Sequence, residues 1–272
     1  MDMKRVFVKE GCIENPPSED EIIINRKRVS FLVRRRIRGI YGNKWLGSIW
    51  LILDPVATAL VYLLVLTVVR SNPSPESLFM GVSLFRIFQT SFKCGVNSVS
   101  DFTGGIKVER IRTRVVVSSM IRYRFLDSFL SSFGVSAILL IFLEMPIDGV
   151  LVFLLLGQTL GVVSEGFALN LSLIAKRIPD INYLITYLLM LMFFGSPVLY
   201  PMSATSGIHY TINKFNPFSY YIEASRYATE LDSVILEIGS EIILPVMAIL
   251  LLLCARGYIS MDKQRWEVSS WS

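Results

Sequence analysis

Arg86, Gln89 and Lys93 interrupt an otherwise apolar segment, and their types and spacing are the ones in this chain that invite chemistry. Arg86 and Lys93 stand seven residues apart and so share one helical face. A cation facing lipid costs about 3 kcal/mol even on the lenient insertion scale, so both must face a bundle interior or a water-filled path. There they either meet an anionic group of a cargo, such as a pyrophosphate or an acidic sugar, or close an internal ion pair, with Glu165 as a candidate partner. A second candidate surface is aromatic: Tyr200, Tyr210, Phe215, Phe218, Tyr220, Tyr221 and Tyr227. Such rings stack on sugars, or they pack as an interfacial belt. Catalysis has no comparable set. The chain has a single histidine, His209, and Cys12, Cys94 and Cys254 show neither pairing nor metal spacing. Asp54, Asp127 and Glu165 do not pair at helical spacing, and no phosphate loop, nucleophile elbow or zinc pair occurs. No catalytic residue, metal site or cofactor is therefore expected on this chain.

The elements that must position these residues follow from composition. Of 272 residues, 53% are hydrophobic and only 18% charged, which excludes a disordered chain and argues against an ordinary soluble domain. The apolar residues cluster in 46–69, 125–143, 150–175, 181–200 and 242–260, each about as long as a bilayer-spanning helix. Residues 78–100 hold the polar triad and form the least apolar candidate. Counting them gives an all-α, polytopic membrane protein of six transmembrane helices. Asp54-Pro55 lies inside the first span, where the proline removes a backbone donor. The segment 201–241 is too long for a plain connector and is expected to hold external re-entrant helices.

Charge placement sets the expected topology. The net charge is +5, with eight cations between Arg26 and Lys44 and six between Lys107 and Arg124. These clusters flank apolar spans, so they read as a positive-inside signal rather than a nucleic-acid surface. With six spans, 22 cations fall inside and only Arg70, Lys214 and Arg226 outside, placing both termini in the cytoplasm. Residues 1–45 form a cytosolic N-terminus, 46–260 the transmembrane domain with a cytosolic loop at 101–124, and 261–272 a short tail. Residues 21–40 mix apolar residues with seven cations, the pattern of an amphipathic helix lying on anionic lipid headgroups or of a solvated helix on the cytosolic surface. The chain opens Met1-Asp2-Met3-Lys4-Arg5 and reaches its first long apolar run only at Leu46. That predicts no cleavable signal peptide and a first span that inserts as an anchor.

Four stretches, in order, resemble the membrane subunits of ABC-2 type polysaccharide exporters. Tyr41-Gly42-Asn43-Lys44-Trp45-Leu46-Gly47-Ser48-Ile49-Trp50 with Asp54-Pro55 is similar to the family's first-span motif. Arg177-Ile178-Pro179-Asp180-Ile181 resembles its turn after the fourth span, and Gly195-Ser196-Pro197-Val198-Leu199-Tyr200-Pro201 the end of its fifth. Asn216-Pro217-Phe218-Ser219-Tyr220-Tyr221-Ile222-Glu223-Ala224-Ser225-Arg226 is similar to its N-P-…-I-E-x-x-R segment.

The resemblance implies a permease of the inner membrane, working as a dimer of two copies with a cytosolic ABC ATPase that holds ATP and magnesium. The cargo it implies is a lipid-linked polysaccharide, of the O-antigen, capsule or teichoic acid kind. It also places an ATPase-coupling helix at Ile106, Lys107, Glu109, Arg110, Arg112 and Arg114, without the proline usual in the family. Arg86 stands where the family commonly has tryptophan. An ABC-2 exporter of a drug or small lipid shares this architecture. A membrane enzyme of lipid-glycan synthesis would need acidic or histidine residues clustered at one membrane face, and none is seen.

Overall fold

The computed structural model describes residues 19–69, 74–105, 113–178 and 180–269, and among these there is no strand. Helix α1 spans Glu19–Tyr41. A short 3-10 turn at Gly47–Ile49 leads into α2, Trp50–Val69. There follow α3 (Pro75–Gly105), α4 (Thr113–Ile141), α5 (Ile147–Leu169), α6 (Ser172–Arg177) and α7 (Ile181–Gly195). Next come α8 (Gly207–Lys214), α9 (Pro217–Ala228), α10 (Ile235–Ile238) and α11 (Ser240–Ser269). Helix α5 is the hub, packed by α3, α4, α9 and α11.

Three described helices, within Val115–Ile141, Ile147–Leu169 and Ser240–Met261, are long and apolar enough to cross a bilayer; Trp50–Val65 and Ile181–Gly195 are apolar but shorter. Large apolar side chains lie open along α2, α7 and α11, among them Leu64, Leu191 and Leu252. Water would penalise so much apolar surface, whereas lipid does not. The chain is a multi-pass, all-helical membrane protein.

Several boundaries differ from the expectation. Helix α4 begins at Thr113, so much of the expected loop 101–124 is helix. The run 150–175 is broken at Asn170, whose side-chain amide donates to the carbonyls of Phe167 (2.9 Å) and Leu253 (2.8 Å). Pro55 does not end α2. A proline at this position leaves the carbonyl four residues earlier without its helical donor, and Ser131 of α4 donates to that Leu51 oxygen at 3.3 Å.

Helix α7 stops short, at about 22 Å of length against a hydrocarbon core of about 30 Å. Its last carbonyls are taken up by side chains: Tyr200 donates to Phe194 (2.8 Å) and Asn213 to Gly195 (2.9 Å). From there the chain runs along α3, where a Cβ on Gly81 would strike the Val198 carbonyl, and makes one 3-10 turn at Met202–Ala204. Helix α8 is then largely exposed, and α9 packs into the bundle against α3 and α5. Phe218, at the start of α9, meets Phe85 and Phe88 with ring centroids at 5.6 and 4.8 Å. Arg226, near its end, donates to Ser77 at 2.8 Å. Asn216 caps α9 by accepting from the Phe218 amide (3.1 Å), with Pro217 in the first turn.

Candidate functional site

Helix α3 is buried on nearly every side. Between Arg86 and Ser100 the residues it leaves open are Arg86, Gln89, Thr90, Lys93, Cys94, Asn97 and Ser100. Their spacing of three and four residues makes one stripe, about 21 Å long at the helical rise. Every residue on it is polar or a thiol, in a helix whose other faces bury Phe85, Phe88, Phe92 and Val96. The three residues singled out from the sequence are therefore on one surface.

At the upper end of the stripe, Arg86 binds Asp54 of α2 through Nε at 2.9 Å and Nη2 at 2.5 Å. Its Nη1 reaches Gln89 Oε1 at 3.4 Å. The pair is only half-buried, with side chains 35% and 44% exposed. Asp54, not Glu165, is thus the partner of Arg86. The expected pairing fails because Glu165 faces α4 lower in the bundle. One and a half to two turns below, Lys93 makes no ion pair or side-chain hydrogen bond with any described residue.

Beside the lower stripe lies a charged junction that the sequence reading missed. Arg124, counted there among the cytosolic cations, is buried in α4. It donates to Asp127 at 2.6 Å and lies 3.6 Å from Glu165 of α5. Arg36 of α1 joins them. It donates to the Cys94 thiol and lies over the Tyr123 ring at 4.7 Å, within electrostatic reach of both carboxylates. Two cations and two anions leave the junction neutral. The signal available in the sequence was Arg124 followed three residues later by Asp127, an inward-facing pair followed by Ser128 and Ser132. Tyr41 lies within electrostatic reach of both the junction and the Asp54–Arg86 pair. Burial pushes its hydroxyl up to about 12, with Asp127 and Asp54 adding to the shift and Arg124 and Arg86 opposing it.

Helix α1 docks on the bundle through Leu32 and, in part, Val29, packed on Val115, Val116, Met120 and Leu169. Its Ile22, Ile23, Ile24 and Phe31 remain exposed.

The aromatic residues divide. Tyr220 and Tyr221, expected on the cargo path, are 4% and 5% exposed. Tyr220 packs with Met202, Val234 and Ile238 and donates to the Lys214 carbonyl at 2.6 Å, and burial raises its pKa. The structure gives both rings a packing role, because α9 is wedged between α3 and α5 rather than standing outside. Tyr200 is half-buried and lies against His209. Within α9, Glu223 and Arg226 form a fully buried pair at 2.7 Å. Glu223 also accepts from the amides of Met202 (3.3 Å) and Val234 (3.1 Å), so the motif ties the external segment together. Of the expected coupling residues, Ile106, Lys107, Glu109, Arg110 and Arg112 lie outside the described residues, and Arg114 belongs to the first turn of α4. Among the described residues no cluster of His, Cys, Asp and Glu could hold a metal ion.

Comparison with known proteins follows the same lines. The chain is 29% identical over 180 residues to the O-antigen export system permease protein RfbA of Myxococcus xanthus, covering 63% of this chain and 67% of that one. It is 23% identical over 215 residues to the polysialic acid transport protein KpsM of Escherichia coli, covering 75% and 82%. The model of the ABC-2 type transporter family matches residues 27–229, which is most of the chain, and the protein belongs to that family.

Proposed function

We propose that this chain is the permease subunit of an ATP-driven exporter that moves a lipid-linked polysaccharide across the cytoplasmic membrane. The observation that carries the reading is the open face of α3. A stripe of polar groups about 21 Å long, with a lysine in it that has no partner among the described residues, is costly against lipid and useful against a hydrated cargo. A drug or small lipid calls for a compact, mostly apolar pocket, so the length and polarity of the stripe favour a polymer. The names of the relatives point to the same class of cargo.

In this reading the chain crosses the inner membrane six times with both termini in the cytoplasm, α3 being the polar span. Two copies work together, and the wide apolar faces of α2 and α7 offer the surface for a second copy. Hydrolysis of ATP with magnesium takes place on a separate ABC ATPase, docked at Ile106, Lys107, Glu109, Arg110, Arg112 and Arg114. This chain then has no catalysis of its own. Arg86, Gln89 and Lys93 line the path; of these Lys93 meets the anionic linkage of the cargo, while Arg86 is already neutralised by Asp54.

The test is complementation of a host lacking the gene, measuring polysaccharide at the cell surface and lipid-linked polymer inside. Loss of the chain is expected to strand polymer inside, and Lys93→Ala to export poorly at a normal chain level, with Lys93→Arg largely active. Normal surface polysaccharide without the chain would overturn the reading.

A further inference from the structure

Apart from the path and the junction, the bundle carries a charged cleft that the export reading leaves unused. It lies where α5 breaks at Asn170, between α6 and the middle of α11, and encloses ≈ 340 Å³. Arg177 and Arg256 stand on its walls, and Ile174 and Leu253 form its lip. The floor is fixed. Asn170 ties the end of α5 to Leu253, and α11 comes so close to α5 that a Cβ on Gly257 would strike the Gly166 carbonyl.

Both arginines are exposed, and neither makes an ion pair with a described residue. Two guanidiniums lining one cleft with no counter-charge among the described residues form an anion site, and their planar donor forks suit phosphate oxygens. What lies beside the cleft decides the source of that phosphate. The lip carries on into an open apolar flank of α11, where Ile249 and Leu252 are exposed. A soluble phosphate makes no use of such a flank. A lipid does, its headgroup between the arginines and its acyl chains along α11.

We propose that this cleft binds the phosphate headgroup of an anionic phospholipid in the leaflet beside it. The proposal rests on the export reading in one respect only, namely that this end of the bundle faces the cytoplasm, where anionic lipids concentrate.

Native mass spectrometry of the full chain in detergent tests it, with phosphatidylglycerol, phosphatidylethanolamine or inorganic phosphate added. The wild-type chain is expected to retain phosphatidylglycerol in preference to phosphatidylethanolamine. The Arg177→Gln/Arg256→Gln variant is expected to retain it about thirtyfold more weakly, from the usual contribution of two cations at an anionic surface. Lys214→Gln, at the opposite end of the bundle, is expected to behave as wild type. Equal retention by the double variant overturns the proposal. So does displacement by inorganic phosphate, which marks a soluble-anion site. Unchanged lipid retention with loss of the co-purifying ATPase also overturns it, by assigning the arginines to protein docking. Labelling of Arg256→Cys by an impermeant maleimide in inverted vesicles but not in intact cells is the expected orientation. The opposite pattern overturns the cytoplasmic placement while leaving the lipid measurement to stand or fall by itself.

Discussion

Asp54 and Arg86 neutralise each other across the α2–α3 contact, 2.5 Å apart, yet both remain open to the face that also carries Lys93. The pair splits two roles that spacing alone assigned to Arg86 and Lys93 together. Arg86 joins two helices, and Lys93 has no counter-charge among the described residues.

Charge exchange separates these roles. Asp54→Arg or Arg86→Asp alone sets like charges together inside the bundle, at about 3 kcal/mol for each unpaired group. Both single variants are expected to lower the amount of chain in the membrane. The double exchange restores the opposite charges and is expected to restore chain level and export. Recovery of level without export would assign Arg86 to the cargo instead. Immunoblotting of membranes together with surface glycan measurement reads both.

The junction of Arg124, Asp127, Glu165 and Arg36 is balanced only when all four groups are present. Removing one partner of a buried pair typically costs about 3–5 kcal/mol, because the other charge stays buried. Glu165→Ala is therefore expected to melt well below wild type in detergent. Arg36→Gln leaves the junction negative and removes a tie between α1 and α3. It is expected to speed proteolysis within α1 while the remaining bundle persists as a resistant fragment. Wild-type melting of Glu165→Ala would mean that the 3.6 Å contact carries no energy.

Helix packing gives a sharper contrast, since the groups involved are backbone. A Cβ on Gly257 meets the Gly166 carbonyl of α5, whereas one on Gly39 of α1 meets nothing within 4 Å. Gly257→Ala is expected to destabilise by about 1–3 kcal/mol through overpacking. Gly39→Ala is expected to stabilise α1 by up to about 1 kcal/mol through helix propensity. Thermal melting of the two variants in detergent compares them directly. Equal melting temperatures would show that α5 and α11 part more easily than their contact implies.

Much of this was legible in the sequence, and the exceptions share a cause. Helical spacing put Arg86, Gln89 and Lys93 on one face, because periodicity within a helix is a local property. The partner of Arg86 was not legible, since pairing depends on how two helices are rotated against each other. Arg124 looked like a topology signal because hydropathy cannot tell a cation at a helix end from one turned inward. The break at Asn170 is hidden inside a continuous apolar run, and the hydrogen bond made there goes to Leu253, distant in sequence. The length and aromatic content of 201–241 point to external re-entrant helices, with rings that either stack on sugars or pack. They do not show which helices α9 packs between, and it is the contact with α3 and α5 that decides between those two roles for Tyr220 and Tyr221.

That last difference is directly measurable. A photoreactive amino acid at Gln89 or Lys93 sits on the polar stripe, and one at Tyr220 or Tyr221 points into packed interior. With the full exporter in cells making polysaccharide, adducts with glycan are expected from Gln89 and Lys93 and none from Tyr220 or Tyr221. Replacing either tyrosine by alanine is expected to act through stability, at about 3–5 kcal/mol for loss of a large buried side chain. Phenylalanine at Tyr220 loses only the bond to Lys214, about 1 kcal/mol, and is expected to export normally. Glycan adducts from Tyr221 at a yield matching Lys93 would instead mean that α9 leaves its place between α3 and α5 during transport, exposing its rings to the passing chain.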